Sequence, residues 1–370
     1  MKIIQILPEL DAGGVERGTL EIAAHLVRHG HESIVVSHGG RMVAELEQAG
    51  SRHIQMPVHR KALASLGQVP RLRALFAAES PDIIHVRSRL PAWLTWLAWK
   101  SMDRRKRPRL VTTVHGFYSV NAYSAVMTRG ERVIAVSASV RDYILKNYPR
   151  TDPDRVRVIH RGVDPASYPL GYRPAAGWLA DWQAAHPVLA GRQALLMPAR
   201  LTRWKGQEDF IRLVARLIEL GHPVHGLIVG EPHPKKRAFL DELKALAATL
   251  GVSQHLSFLG HRGDLREIMA VCELVFSLST DPEAFGRVSL EALALGKPVV
   301  AYSHGGVAEQ LEVIFPDGRV PVGDVEGALR TTLEVLERGK VPLSIGPFTL
   351  QRMLDSTVAV YDELLASSVR

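Results

Sequence analysis

The sequence contains one cysteine among its 370 residues. A single cysteine cannot form an intrachain disulfide, which excludes a small secreted fold held together by disulfides. Cys272 lies between Val271 and Glu273, and we expect it to be a small buried side chain. This cysteine usage is consistent with a reducing cytoplasm.

Long hydrophobic runs are also absent. No stretch reaches the ~20 apolar residues that a membrane-spanning helix needs. The apolar core within residues 1–9 is short and meets Pro8 and Glu9 early, so we expect no signal peptide. We therefore expect a cytoplasmic protein. The sequence also has no repeat with a period of about 20 to 50 residues, so we expect no solenoid fold.

Aromatic residues are few, at 6% of the chain, and basic residues are unevenly spread. Residues 1–170 hold 25 Lys and Arg against 15 Asp and Glu, so the formal net charge of +8 comes entirely from this part. A basic field favours an anionic membrane surface, a phosphorylated acceptor or nucleic acid, although a solvated basic face is the plainer interpretation. Because no nucleic-acid-binding motif is recognisable, we expect no nucleic acid partner.

The pattern that is present consists of short apolar runs, each followed by an amphipathic segment. This alternation is typical of parallel sheets covered by helices on both faces. Apolar runs predict strands at 3–7, 33–37, 82–86, 111–115, 133–137 and 156–160, and again at 194–197, 226–229, 256–259, 274–278 and 299–302.

A chain of this length usually holds two domains. Prolines and glycines between residues 165 and 177 interrupt the periodicity and mark a linker. We therefore predict an α/β fold with two Rossmann-like domains, residues 1–168 and 169–349, and a C-terminal helix over 350–370.

Two carboxylates, Glu283 and Glu291, follow the strand predicted at 274–278. Glu283 falls at the carboxyl end of that strand, and Glu291 falls inside the helix predicted over 289–295. Ligands bind at this edge of a parallel sheet, and the helix start between the two acids offers N–H groups to a phosphate. The pattern indicates a nucleotide-sugar site. The alternative is that Glu283 caps the helix and that Glu291 is a solvated surface acid.

A second strand-to-helix loop carries Arg200 and Lys205 after the strand predicted at 194–197. A fixed guanidinium and a mobile ammonium suit a diphosphate better than a base or a sugar. Lone basic residues in a loop are usually only solvated, so the interpretation depends on the neighbouring motifs.

Together, the Arg200 and Lys205 loop, the Glu283 and Glu291 pair, and residues 296–306 resemble the second domain of retaining family 4 glycosyltransferases of the GT-B fold. The resemblance covers nearly the whole chain. It implies two Rossmann-like domains with parallel sheets facing each other across a cleft, and a last helix that crosses back to the first domain. One departure is the loop 279–282, which is longer than the Pro-Ser usual in the family and leaves the shape of the sugar pocket open.

The resemblance also implies an activity. It implies a hexosyltransferase that needs neither a metal ion nor a cofactor. The enzyme would move a sugar from a nucleotide diphosphate sugar, most often a UDP-sugar, to a glycan or glycolipid acceptor and would retain the anomeric configuration. The segments 13–17 and 85–89 resemble those of bacterial enzymes that build lipopolysaccharide core or other surface polysaccharides. Two rivals are a GT-B nucleotide-sugar epimerase or phosphorylase, and a basic nucleic-acid-binding module.

Residue roles follow from the same resemblance. Glu283 is implied to bind donor-sugar hydroxyls, Glu291 to hold the ribose, and His115 to donate a hydrogen bond near the reaction centre. The implied catalytic residues are His115, Arg200, Lys205 and Glu283. The implied donor-binding residues are Gly13, Gly14, Arg200, Lys205, Arg262, Glu283, Phe285, Gly286, Arg287, Val288 and Glu291, and no metal ligand is implied.

In the first domain, Gly13 and Gly14 open a predicted helix, where backbone N–H groups could approach a ligand. Without the family context a plain glycine turn is an adequate explanation, because the full GxGxxG fingerprint is missing. A lone histidine such as His115 is likewise more often structural. Candidates for holding an anionic acceptor are Arg17, Arg87, Arg89, Tyr118 and Tyr123.

Trp93, Trp96 and Trp99 are spaced three residues apart, and the basic run 104–109 follows them. Indoles beside basic residues suit an anionic bilayer. This pattern predicts peripheral contact with the inner face of the cytoplasmic membrane. The alternative is a helix packed on the sheet and followed by a solvated loop.

Overall fold

The computed structural model describes residues 1–11, 13–60, 62–232 and 237–366. Within these ranges the chain forms two compact units. Unit 1 comprises Met1–His160 and the described residues from Gln351 onward, and unit 2 comprises Arg161–Leu350. The domain ends predicted from the sequence, 168 and 349, lie near these divisions.

Unit 1 is built on a seven-stranded parallel sheet. Its strands are β1 Lys2–Ile6, β2 Glu32–Ser37, β3 Arg52–Gln55, β4 Ile83–Val86, β5 Arg109–Val114, β6 Arg132–Ala135 and β7 Val156–Val158. The connecting helices are α1 Gly14–Arg28, α2 Val43–Gln48, α3 Gln68–Glu79, α4 Arg89–Lys100 and α5 Ala138–Asn147. The strand order is β3-β2-β1-β4-β5-β6-β7.

Unit 2 repeats the architecture with six parallel strands. They are β8 Gln193–Pro198, β9 Val224–Val229, β10 Leu256–Gly260, β11 Leu274–Ser277, β12 Val299–Tyr302 and β13 Arg319–Val320, in the order β10-β9-β8-β11-β12-β13. The helices are α6 Ala176–Ala185, α7 Gln207–Glu219, α8 Ala238–Thr249, α9 Leu265–Val271, α10 Arg287–Ala294, α11 Gly305–Ile314 and α12 Val325–Arg338. The predicted α/β class with two Rossmann-like units is confirmed.

The central strands consist of nearly uninterrupted apolar residues, because both faces of a parallel sheet are covered. Every residue of β9 is buried. The apolar side of α7 packs against this sheet through Phe210 and Val214, which are fully buried, while its charged residues face water. Cys272 is buried, as its sequence context predicts.

Two edge strands, β3 and β13, were not predicted from the sequence. The outer residues of β3, Arg52 and Gln55, are exposed and the residues between them are only half-buried, so no apolar run marks this strand. β13 contains only two residues. An edge strand has one neighbour in its sheet and therefore needs less apolar sequence than a central strand.

The last helix, α13 Leu350–Ala366, belongs to unit 1 from Gln351 onward. Its Tyr361 is fully buried, and Tyr361 Oη lies 2.6 Å from Nδ1 of His85 in β4. Burial lowers the pKa of His85 well below its usual value, so the imidazole is neutral in the core. Glu363 pairs with Arg132 at 2.8 Å and with Arg157 at 2.5 Å.

Within the described ranges, none of the helices combines the length and the hydropathy that a membrane crossing requires.

Candidate functional site

Two loops of unit 2 contact each other beyond the carboxyl ends of β8 and β11. The first, 199–206, leads into α7, and the second, 278–286, leads into α10. Thr280 N donates to Trp204 O at 2.7 Å and joins the two backbones. Gly206 makes this approach possible, because its φ of 79° is left-handed and a Cβ on it would lie 1.9 Å from Leu278 O.

We expect Gly206→Ala to destabilise unit 2. A left-handed φ alone costs a non-glycine residue about 1–2 kcal/mol, and forced contact with the Leu278 backbone adds about 1–3 kcal/mol. Gly251→Ala is the matched control, because Gly251 has a φ of 70° but open space where a Cβ would lie. Urea denaturation measures both losses. Equal losses would show that the Leu278 backbone adds no cost to a Cβ at position 206.

The contacting loops bring Lys205 and Glu283 together. Lys205 Nζ lies 2.8 Å from Glu283 Oε1, and only 16% and 20% of the two side chains are exposed. The same carboxylate oxygen accepts a hydrogen bond from Ser279 Oγ at 2.7 Å and lies 3.4 Å from Ser277 Oγ. An ammonium and two hydroxyls thus orient Glu283 at the strand end. An anion arriving here would compete with Glu283 for Lys205.

Lys205 also lines a cavity of about 470 Å³ in unit 2. Three cations, Arg200, Lys205 and Arg262, stand on its wall, and no lining residue is a carboxylate. Arg200 is exposed, and no acidic side chain among the described residues pairs with its guanidinium. This volume is typical of small-molecule sites, and the cations favour an anionic ligand.

Glu291 lies on α10, one turn from the helix start. The sequence places the start of this helix at Ser289, whereas α10 begins at Arg287 after Gly286, with no side chain capping its N-terminus. The Glu291 residue is 9% exposed, and its Oε1 lies 3.0 Å from Arg287 Nε. Burial, and after it the charge of Glu291, raise the pKa of Tyr168 to about 12. A neutral phenol and a guanidinium therefore surround this carboxylate.

The backbone between the two acids is held by α11. A Cβ on Gly306 would lie 2.4 Å from Phe285 Cα, so only glycine permits this contact. Gln310 Nε2 donates to Phe285 O at 2.5 Å and to Gly286 O at 3.2 Å. The Phe285 residue is only 4% exposed, so its ring belongs to the core. The neighbouring Val288 lines the 470 Å³ cavity.

Arg262 stands on the cavity wall, but a carboxylate balances its charge. It donates to Asp264 from Nε at 2.8 Å and from Nη2 at 2.6 Å. Trp178 Nε1 donates to the same carboxylate at 2.9 Å. The hydrogen bonds from Arg262, and after them the one from Trp178, lower the pKa of Asp264 to about 2. Arg200 is therefore more available to an incoming anion than Arg262 is.

The glycine pair of unit 1 lies at the start of α1. Gly13 precedes the helix with a φ of 138°, and Gly14 is its first residue; Ala12, in the same loop, lies outside the described residues. Arg17 forms an ion pair with Glu45, with Nη1 2.5 Å from Oε1 and both side chains exposed. Such surface pairs contribute little free energy, so an anion could displace Glu45.

Arg87 and His115 follow β4 and β5. The sequence places Arg87 on an open strand-end loop, but this residue is 2% exposed and its Nε donates to Gln5 Oε1 at 3.0 Å. The buried part of the sheet extends one residue beyond the end of β4. The apolar pattern of the sequence cannot reveal this, because the residue at that position is charged. His115 is half-buried, and its backbone N–H donates to Tyr118 Oη at 3.3 Å.

Arg89, Tyr118 and Tyr123 form one cluster. Arg89 Cζ lies 4.7 Å from the ring centroid of Tyr118 and 5.6 Å from that of Tyr123. Its Nη1 donates to Ser124 Oγ at 3.2 Å, and no carboxylate of the described chain pairs with it. Burial raises the pKa of both tyrosines, so their hydroxyls stay protonated. The three residues thus offer a cation and phenols to one ligand.

The tryptophans of α4 are held by contacts within unit 1. Trp99 is 8% exposed and donates to Pro108 O at 2.6 Å, and Trp93 donates to Tyr123 O at 2.8 Å. Trp96 is half-buried and packs edge-on against Trp93, with the ring centroids 5.8 Å apart. Trp93 is half-buried like Trp96, so the packed-helix interpretation describes Trp99, whereas Trp93 and Trp96 remain partly at the surface.

The side chains that support the two acids could not be identified from the sequence. Ser279 belongs to the loop that departs from the family pattern, and its hydroxyl contacts Glu283. His304 Nε2 lies 2.6 Å from Ser279 O and braces the same loop. Tyr168, beside Glu291, lies in another segment of unit 2. So does Asp264, which pairs with Arg262 and not with either acid. The sequence does show a serine, Ser279, two residues after β11. Its contact with Glu283, however, depends on the conformation of the loop and could not be read from the sequence.

Across the part of the chain that the structure describes, no three His, Cys, Asp or Glu side chains are grouped so that they could hold a metal ion.

Two family models match the chain. The model of Glycosyltransferase Family 4 matches residues 12–167, and the model of Glycosyl transferases group 1 matches residues 181–337. A D-inositol 3-phosphate glycosyltransferase of Geodermatophilus obscurus is 30% identical in a 323-position alignment that covers 78% of this chain and 69% of that protein.

Solved structures agree with these matches. A glycosyltransferase from Rickettsia africae ESF-5 superimposes with a TM-score of 0.84 at 29% identity, covering 98% of both chains. Anabaena Alr3699/HepE in complex with UDP-glucose superimposes with a TM-score of 0.78 at 23% identity, covering 99% of this chain and all of that one. The second likeness shows a shared fold.

Proposed function

This chain belongs to glycosyltransferase family 4, with a second half of the glycosyl transferases group 1 type, and we propose that it moves a sugar from a UDP-sugar to a hydroxyl with retention of the anomeric configuration. One observation carries the proposal. At one sheet edge of unit 2, a cation-lined cavity adjoins a lysine that is paired with a glutamate, and a second glutamate lies on the next helix.

The chemistry follows from how charge develops during transfer. When the glycosidic bond breaks, negative charge grows on the departing diphosphate, and preorganised cations stabilise that charge. Arg200 and Lys205 are placed for this role. The diphosphate then replaces Glu283 as the partner of Lys205, and the released carboxylate can accept hydrogen bonds from sugar hydroxyls. These fixed cations can stabilise the leaving group without a metal ion, so we include metal independence in the proposal.

The nucleotide base is proposed to be uracil. The support is that HepE, which shares this fold, is described in complex with UDP-glucose. A ligand that binds only the native state raises the melting temperature. Thermal shift with UDP-, GDP- and ADP-sugars should give the largest rise with a UDP-sugar. A larger rise with another base would contradict the uracil assignment.

The acceptor is proposed to be a glycan or glycolipid of bacterial lipopolysaccharide or another surface polysaccharide, on the family resemblance of segments 13–17 and 85–89. A second candidate is a phosphorylated polyol, because a relative is named as acting on D-inositol 3-phosphate. Arg89, stacked on two tyrosines without a carboxylate partner, favours an anionic acceptor of either kind. Release of UDP in the presence of each acceptor class, measured for wild type and Arg89→Gln, separates the two.

We expect the product to keep the anomeric configuration of the donor. A double displacement needs a carboxylate nucleophile that forms a covalent glycosyl intermediate. In the proposed donor complex Glu283 binds the sugar hydroxyls and Ser279 Oγ, so we do not assign it as that nucleophile. We therefore propose front-face attack, in which a departing phosphate oxygen takes the proton of the acceptor hydroxyl. Proton NMR of the new linkage, with excess chelator present, measures both retention and metal independence. An inverted anomeric signal would contradict retention, and loss of activity in the chelator would contradict metal independence.

The rival enzyme classes differ in what they require. A nucleotide-sugar epimerase would convert donor without an acceptor, and a phosphorylase would need free phosphate. Consumption of UDP-sugar that is independent of any acceptor would therefore favour an epimerase over the proposed transferase.

We also propose peripheral contact between unit 1 and the inner face of the cytoplasmic membrane. Exposed basic residues follow α4 at Arg104, Arg105 and Lys106, and each basic residue near an anionic surface contributes about 1 kcal/mol. Arg104→Ser combined with Arg105→Ser should weaken binding to anionic vesicles about 30-fold. Vesicle sedimentation at low salt measures this, and unchanged binding would leave only the solvated-loop interpretation.

A further inference from the structure

Unit 1 contains a cavity of about 520 Å³ that takes no part in the proposed transfer. It lies where the end of α4, residues 125–129 and the segment 147–155 after α5 meet. Its wall includes Trp96, Arg129, Arg150 and Arg155, and none of its lining residues is a carboxylate. We call this cavity the Trp96 pocket.

The cations of the Trp96 pocket are poorly compensated. Arg129 and Arg150 are exposed, and neither has an acidic partner among the described residues. Arg155 Nε lies 3.7 Å from Asp152 Oδ2, with about half of each side chain exposed, and such a pair is weak. Three guanidiniums around one cavity form charge-assisted hydrogen bonds best with a phosphate group.

The indole of Trp96 gives the pocket an apolar side as well. Arg129 Cζ lies 4.2 Å from the ring centroid of Trp96 and 4.9 Å from that of Trp93, which fixes the guanidinium at the cavity wall. Lys100 Nζ lies 4.9 Å from the Trp96 centroid. Because the basic run 104–106 begins soon after Lys100, the basic surface continues from the pocket past the end of α4.

We propose that the Trp96 pocket binds the phosphate group of an anionic phospholipid. Its volume lies within the range of small-ligand sites and accommodates a glycerophosphate head group. A half-buried indole beside a basic surface suits the membrane interface. The proposal deepens the membrane contact proposed above and rests on it, but it is independent of the donor site in unit 2.

The test uses the full chain and two double variants. Arg150→Gln with Arg155→Gln removes two pocket charges without touching the tryptophan stack. Arg330→Gln with Arg338→Gln is the matched control in unit 2, since these arginines have acids at 3.7 and 3.5 Å. Binding to phosphatidylglycerol vesicles, and to phosphatidylcholine vesicles as the neutral arm, is measured by sedimentation. Calorimetry with glycerol 1-phosphate measures binding of a free phosphate ester.

We expect wild type to bind the phosphatidylglycerol vesicles and not the neutral ones. The pocket variant should bind about 30-fold more weakly, which is about fivefold for each lost charge, and the control should stay within about twofold of wild type. Equal weakening in both variants would overturn the pocket, because it would show only general electrostatic attraction. Binding of glycerol 1-phosphate without binding of vesicles would overturn the lipid assignment.

The failures of the two membrane proposals are distinguishable. If Arg104→Ser with Arg105→Ser weakens vesicle binding while the pocket variant binds as wild type, the membrane contact stands and the pocket proposal is wrong. If wild type binds no anionic vesicle, both are wrong. UDP-sugar binding in unit 2 should be unchanged in every one of these variants.

Discussion

Lys205→Ala and Arg200→Ala should each lower kcat by a factor of ~100 or more, the range seen when one preorganised electrostatic group is removed. Both side chains line the 470 Å³ cavity, and we propose that negative charge grows on the leaving diphosphate there. Steady-state release of UDP measures the effect. The loss should appear in kcat, because the proposed role of these cations is to act more strongly on the transition state than on the bound donor.

The matched control for Lys205 is Lys244→Ala. Lys244 is an exposed lysine of α8 in the same unit, so its removal makes the same change in net charge away from the cavity. Its kcat should stay near that of wild type. If Lys205→Ala and Arg200→Ala fold normally and turn over as fast as this control, the diphosphate assignment is wrong.

Glu291 and Glu283 should differ in what their removal affects. Glu291→Gln should raise the Kd for UDP about 10- to 100-fold, because a hydrogen bond to a charged group is worth about 1.5–3 kcal/mol. Glu283→Gln should leave UDP affinity equal to wild type or higher, since Lys205 loses a competing partner at 2.8 Å. The same variant should lower kcat, because the sugar loses its acceptor of hydrogen bonds.

Calorimetry with UDP and turnover with UDP-sugar separate these effects. Glu242→Gln is the matched control, because Glu242 pairs with Arg203 at 2.6 Å at the exposed surface of unit 2. It should change neither quantity by more than about twofold. If Glu283→Gln loses as much UDP affinity as Glu291→Gln, the proposed division between sugar and ribose is wrong.

The central strands and the positions of the two motif loops could be predicted from the sequence. Buried parallel strands are apolar without interruption, and the loop after each strand falls at a known edge of the sheet. Arg200, Lys205 and Glu283 therefore lie where the strand-to-helix pattern places them. Glu291 lies in the predicted helix, although α10 begins two residues earlier than predicted.

Pairings between distant segments could not be predicted. Lys205 and Glu283 are far apart in sequence, and their contact depends on the close approach of Gly206 to Leu278. The burial of Arg87 likewise depends on packing around Gln5. Periodicity reports which face of an element is apolar, but it does not report which polar groups meet once the elements pack.

A crystal structure of the protein with UDP would show directly whether the diphosphate binds in the cavity of unit 2. We expect the diphosphate to lie within hydrogen-bond distance of Arg200 and Lys205. The ribose hydroxyls should bind Glu291, and the ion pair between Lys205 and Glu283 should open. If the diphosphate binds elsewhere and this ion pair stays closed, the proposed donor site is wrong.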